Sequence, residues 1–144
     1  MYKLFYVSNA SDDFNFQIDV EKIPSDSRRK NSELGITGIL LFHKGIFLHL
    51  IEGDKQKVEI LFSKIKNDRR HKDVTCLLSV EGHDRIFNEW NSVFYENQKT
   101  DIKMVNQILS WTRKINSLDK FNNEFILGLI HQFKQNSLNI NSNT

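Results

Sequence analysis

The stretch GITGILLFHKGIFLHLIEG, residues 35–53, consists of two apolar runs joined at His43, Lys44 and Gly45, where glycine suits the positive φ of a tight turn. It predicts a β-hairpin. The second arm is apolar on both parities, with Phe47, His49 and Ile51 on one face and Leu48, Leu50 and Glu52 on the other, which predicts a strand covered on both sides. His49 is the one titratable group in the middle of that arm. A buried imidazole needs a partner for each ring nitrogen, so His49 is either a satisfied core residue or part of a site.

Toward the N-terminus, Lys3 to Ser8 is rich in aromatic and branched residues and predicts a first strand, and residues 9–13 supply turn chemistry after it. The next segment admits two readings. Asp19 suits the cap of a helix through Val20 and Ile23, but Pro24 breaks its interior; Pro24 at the first helical position instead begins a shorter helix, predicted from Pro24 to Ser32. Beyond the hairpin, Asp54 caps a helix in which Val58, Leu61, Phe62 and Ile65 repeat at helical spacing. Asn67 to Lys72 is polar and basic, Val74 to Val80 predicts a fourth strand, Gly82 to Asp84 a turn, and Asn91 to Tyr95 a fifth strand. From Asp101 the spacing turns helical, with Ile102, Val105, Ile108, Leu109 and Trp111 in one helix and Phe125, Leu127, Leu129, Ile130 and Phe133 in another.

This order of elements predicts an α+β fold, a ferredoxin-like sandwich with a five-stranded mixed sheet. Two helices cover one face and the two C-terminal helices the other, so that Leu48 and Leu50 lie under residues such as Trp111 and Phe125. The expected divisions are 1–97 for the sandwich, 98–136 for the helical cap and 137–144 for a disordered tail of polar residues.

Composition narrows the function. A chain of 144 residues, 39% hydrophobic and 26% charged, is one ordinary globular domain's worth. A net charge of +2 is too small to imply nucleic acid; the basic clusters at residues 28–30 and 69–72 are local anion-site candidates. Cys76 alone permits no internal disulfide, cysteine zinc cluster or CxxC pair, which points to a reducing compartment. The N-terminus enters a strand without a signal-peptide core, and no stretch is apolar enough to span a bilayer, so the expected location is cytoplasmic.

Six pieces in order then resemble the BLUF domains: LFYVS at 4–8, SRRKN at 27–31, GITG at 35–38, FLHLIEG at 47–53 against the family's F-L-Q-x-L-E-G, DRRH at 68–71 against D-x-R-H, and RIFNEW at 85–90 against R-x-F-x-x-W. The likeness spans about residues 1 to 96. It implies a blue-light sensor that holds FAD noncovalently between the two sheet-covering helices. By the same resemblance Tyr6 is the tyrosine beside the flavin that donates an electron and then a proton to the excited ring, with Trp90 as the site's second aromatic. Asn31 pairs its amide with the flavin's C4 carbonyl and N3, and Ser27 and Phe47 line the pocket. Arg70 and His71 meet the ribityl chain and diphosphate, while Ile23 and Ile65 wall the ring.

Four positions depart from the family, and the first two fall at the photochemical centre. His49 stands in place of the switching glutamine, Ser92 in place of a methionine two residues after the tryptophan, Lys30 where the family has Asn or His, and Pro24 within a helix that is continuous in the family. An amide exchanges donor and acceptor at nearly the same points in space; a rigid imidazole does not, which predicts an impaired or altered photocycle. The expected partners are a separate protein effector and a second copy of the chain in a homo-oligomer, with no enzyme activity and no metal. The alternative is a photoinactive or flavin-free BLUF-fold interaction module, favoured by loss of the switching amide. A hydrolase of the acylphosphatase kind needs an anion-cradling loop with arginine after the first strand, and residues 9–13 contain neither arginine nor glycine.

Overall fold

The computed structural model describes residues 1–43, 45–82, 84–95 and 131. The chain divides into two compact units, Met1–Glu96 and Asn97–Thr144. Of the second, only His131 is described, helical and exposed; the two C-terminal helices and the polar tail expected from the sequence lie outside the described residues.

The first unit runs β1 (Tyr2–Ala10), α1 (Phe16–Glu33), β2 (Thr37–His43), β3 (Ile46–Gly53), α2 (Lys55–Lys66), β4 (His71–Glu81) and β5 (Trp90–Tyr95). These form one sheet in the order β4-β1-β3-β2-β5, parallel only between β2 and β5. This is the expected ferredoxin-like mixed sheet with two helices. The hairpin is its centre. Gly45 takes φ +78° in the turn, and Gly38 lies so close to β3 that a Cβ there would sit 2.0 Å from the Leu50 carbonyl oxygen. Asp54 caps α2 by accepting from the Lys57 N–H at 3.2 Å.

Helix α1 corrects the sequence reading. It starts at Phe16 rather than Pro24 and is continuous through the proline. Its N-cap is Asn15, whose side chain accepts from the Gln17 and Ile18 N–H groups, while Asp19 accepts the Asn15 N–H at 2.8 Å. That doubly satisfied first turn, together with burial of Ile23, holds the helix across a residue that lacks an N–H. β4 also begins earlier than expected. His71 pairs with Ala10, and irregularities between the two strands absorb the polar residues, with Asp73 at φ +53°.

The face under the helices carries two apolar clusters. Tyr2, Leu4, Tyr6, Ile36, Ile51 and Val58 pack with Leu61, Phe62 and Ile65 of α2. Ile23, Leu40, Phe42, Phe47 and Trp90 pack with Phe14, just before α1, and Phe16, its first residue. The opposite face presents Phe5, Ile39, Leu41, Leu48, Leu50 and Leu78, all buried as the two-parity pattern of β3 requires. It also holds an ion pair, Lys3 Nζ to Glu52 Oε2 at 3.0 Å, with both side chains inaccessible.

Candidate functional site

Antiparallel register places Tyr6 opposite His49, and His49 opposite Leu40, so the phenol and the imidazole share the helix-covered face at the join of the two clusters. Tyr6 Oη lies 2.9 Å from His49 Nδ1, and the Trp90 indole N–H donates to His49 Nε2 at 3.0 Å. Both ring nitrogens therefore have partners. Tyr6 is 1% exposed, Trp90 4% and His49 5%, so the chain of three is closed to water. Burial, with the nearby His71 adding to it, pushes the His49 pKa down to about 3. Burial, reinforced by the Asp68 charge, pushes the Tyr6 phenol well above its usual range. At neutral pH all three groups are uncharged.

Helical spacing gathers a second set. Asp19, Ile23, Ser27 and Asn31 recur every four residues on one stripe of α1; Asp19, Ile23 and Asn31 are buried and Ser27 half-buried. Asn31 is 3% exposed, yet its side-chain amide has no hydrogen-bond partner among the described residues. A buried amide with an unused donor and acceptor calls for a ligand that offers both. Lys30, next to it, points off the stripe and is exposed, so the structure does not gather it into the site. Ile23 and Ile65 fall in different clusters, one beneath each helix, as two walls would. Ser92 is half-buried on β5 in register with Leu40, and its hydroxyl makes no hydrogen bond among the described residues.

At the entry to β4, His71 Nδ1 lies 2.9 Å from Ser8 Oγ, with its ring 4.4 Å from that of Phe47 and 6.5 Å from that of Tyr6. Burial lowers its pKa, partly offset by the Asp68 charge. Arg70 forks onto Asp68, with Nη2 to Oδ2 at 2.7 Å and Nε to Oδ1 at 3.0 Å, and its Nη1 lies 3.6 Å from Asp19 Oδ1. Burial raises the Asp68 carboxyl, but its bonds to Arg70 outweigh this and hold it below the usual range. The cationic pair expected from the sequence is thus one neutral imidazole and one guanidinium shared by two carboxylates. Asp19, Ser8 and Phe62, whose ring lies 5.4 Å from that of Tyr6, were not singled out by sequence reasoning. For Asp19 the four-residue stripe was the available signal; Ser8 and Phe62 become neighbours of the site only through strand register and helix packing. A cavity of about 500 Å³ bordered by Arg28, Thr37, Arg85 and Trp90 does not include Tyr6, Asn31 or His71 among its lining residues.

The family model for BLUF, sensors of blue-light using FAD, matches residues 1–93. The chain belongs to the BLUF family. Over 88 residues it is 34% identical to the photoactivated adenylate cyclase subunit beta of Euglena gracilis, covering 60% of this chain and 10% of that protein. A bacterial light-regulated adenylyl cyclase structure superposes with a TM-score of 0.70 at 30% identity, over 92% of this chain and 39% of that one. The photo-activated state of BlsA superposes with a TM-score of 0.71 over 91% of this chain and 92% of that one; at 22% identity it shows the shared fold. The chain thus spans about a tenth of the curated relative and about two fifths of the cyclase structure. Among the described residues, no helix is long and apolar enough to cross a membrane.

FAD is the cofactor of the BLUF family, and the residues present fit it. The Asn31 amide, without a partner among the described residues, would supply one donor and one acceptor, Tyr6 a buried oxidisable phenol, and Ile23 and Ile65 apolar walls. Bound there, FAD supplies absorption of blue light and acceptance of an electron.

Proposed function

We propose that this chain is a FAD-binding blue-light sensor in which electron donation by Tyr6 survives while the lasting red-shifted state of the family does not. The observation that carries the reading is the Tyr6–His49–Trp90 chain, in which an imidazole holds the place of the switching amide and both its nitrogens are already engaged. Tyr6 needs only proximity and an oxidisable phenol to donate; a durable change needs a group that exchanges donor and acceptor in place. The output of the sensor is contact with a protein effector. The test is a light-minus-dark difference spectrum of the protein and of His49→Gln. No stable red shift in the first and a reversible one in the second support the reading; a normal red shift with His49 in place overturns it.

A second reading, a flavin-free interaction module, draws on Arg70. Its guanidinium is engaged by Asp68 and Asp19, leaving less charge for a diphosphate than the sequence implies. Purification in excess FAD separates the two: a yellow protein excludes the module, a colourless one supports it.

A further inference from the structure

The three-residue chain has a direction, and Trp90 sets it. An indole N–H only donates, a phenol both donates and accepts, and a neutral imidazole carries one of each. Trp90 Nε1 points at His49 Nε2 from 3.0 Å, so Nε2 must be the bare, accepting nitrogen and the ring proton must sit on Nδ1. Nδ1–H then donates to Tyr6 Oη at 2.9 Å. An imidazolium is excluded by the same geometry, since two N–H groups would face each other. The Tyr6 proton is consequently turned away from His49, and it has no acceptor among the described residues.

Trp90 is itself firmly held. The Glu89 carbonyl accepts from the Gly38 N–H at 3.2 Å, and the preceding Ile86 and Phe87 N–H groups donate to the buried Glu52 carboxylate at 2.8 and 2.9 Å. The least adaptable partner is therefore also a fixed one, and the hydroxyl, which plays either role, yields to it.

We propose that Trp90 is a positioning residue that locks His49 in its Nδ1–H tautomer and thereby makes the Tyr6 hydroxyl the outward donor of the site. A ligand atom facing Tyr6 is then an acceptor. That last consequence rests on the FAD reading above; the tautomer does not, and it is measurable in the flavin-free protein. With Trp90 removed, the Tyr6 hydroxyl is free to donate to Nδ1, which moves the ring proton to Nε2.

The experiment is long-range ¹H–¹⁵N correlation NMR on the full chain labelled with ¹⁵N-histidine, in the dark at neutral pH, with and without added FAD. The signals of His49 are identified by their absence in His49→Gln. The expected result is a pyrrole-type Nδ1 and a pyridine-type Nε2 in the unmodified protein, retained in Tyr6→Phe, and a majority of the Nε2–H form in flavin-free Trp90→Phe. An Nε2–H tautomer in the unmodified protein overturns the proposal, as does an unchanged tautomer in Trp90→Phe or a reversal in Tyr6→Phe. Should Trp90→Phe fail to fold, the unmodified protein and Tyr6→Phe decide between the same outcomes. Failure to retain FAD while the tautomer is as expected counts against the flavin reading alone.

Discussion

Glu52→Gln tests the buried charge on the far side of the sheet, where three donors converge on two carboxylate oxygens. Oε2 accepts the Ile86 N–H at 2.8 Å and faces Lys3 Nζ at 3.0 Å, and Oε1 accepts the Phe87 N–H at 2.9 Å. Lys3 also donates to the Asp84 carbonyl, and Arg85 bonds the Thr37 hydroxyl at 2.7 Å and the Gly35 carbonyl at 2.8 Å, so the stretch Asp84 to Phe87 is tied to β1, β2 and β3 from this side. Glutamine keeps the shape but has one oxygen, and its NH2 must be set either against the Phe87 N–H or against both the Ile86 N–H and the ammonium. The first arrangement is the less costly, yet it replaces the carboxylate that faces the buried ammonium with a neutral oxygen. Breaking a buried pair costs about 3–5 kcal/mol, and a poorly matched buried donor about 1–3 kcal/mol; the two overlap because one substitution causes both. The expected loss is about 4 kcal/mol, a large share of the 5–15 kcal/mol typical of a domain. Urea unfolding of the full chain at neutral pH reads it as a lower midpoint at unchanged slope. A loss below about 1 kcal/mol would show that the carboxylate charge is not what holds this segment.

Asn31→Leu should weaken FAD retention at least tenfold while leaving the flavin-free protein as stable or more so, because it removes a buried amide that lacks a partner among the described residues; thermal melts with and without FAD check both halves. His49→Gln should gain a reversible red shift in the light-minus-dark spectrum, with Ser92 and the exposed Lys30 affecting its size and lifetime. The same variant tests linkage: unfolded histidine takes up a proton below about pH 6.5 while buried His49 stays neutral down to about 3, so stability is full above pH 6.5 and falls as pH drops. Between pH 7 and 5 the unmodified protein should lose about 2 kcal/mol more than His49→Gln in urea titrations, and equal losses would place the His49 pKa near its ordinary value. Asp19→Asn keeps an acceptor for the Asn15 N–H but frees Arg70 of one carboxylate, so FAD affinity should rise severalfold at a stability cost under about 1 kcal/mol; calorimetric titration and melts report the two.

Local chemistry made much of this fold legible before any coordinates. Gly45 marked the turn, Asp54 the start of α2, and the two-parity apolarity of β3 its central place in the sheet. The start of α1 was hidden because the forces that carry it past Pro24 are partly tertiary: burial of Ile23 against the sheet and the approach of Arg70 to Asp19 from the far end of α2. Misplacing that start also obscured the stripe of Asp19, Ile23, Ser27 and Asn31, which would have shown Lys30 to lie off the site face. At the candidate site, Tyr6, His49 and Trp90 could be named from the sequence, but not the state of the imidazole. That state depends on which donor meets which nitrogen, and the register of four strands decides it by bringing Trp90 to Nε2 and Tyr6 to Nδ1. The same distinction applies to Arg70: its charge is a property of the residue, whereas the charge it has left to offer an anion is set by Asp68 and Asp19. A sequence motif therefore names the groups in a candidate site, and the fold determines where their protons and free charges reside.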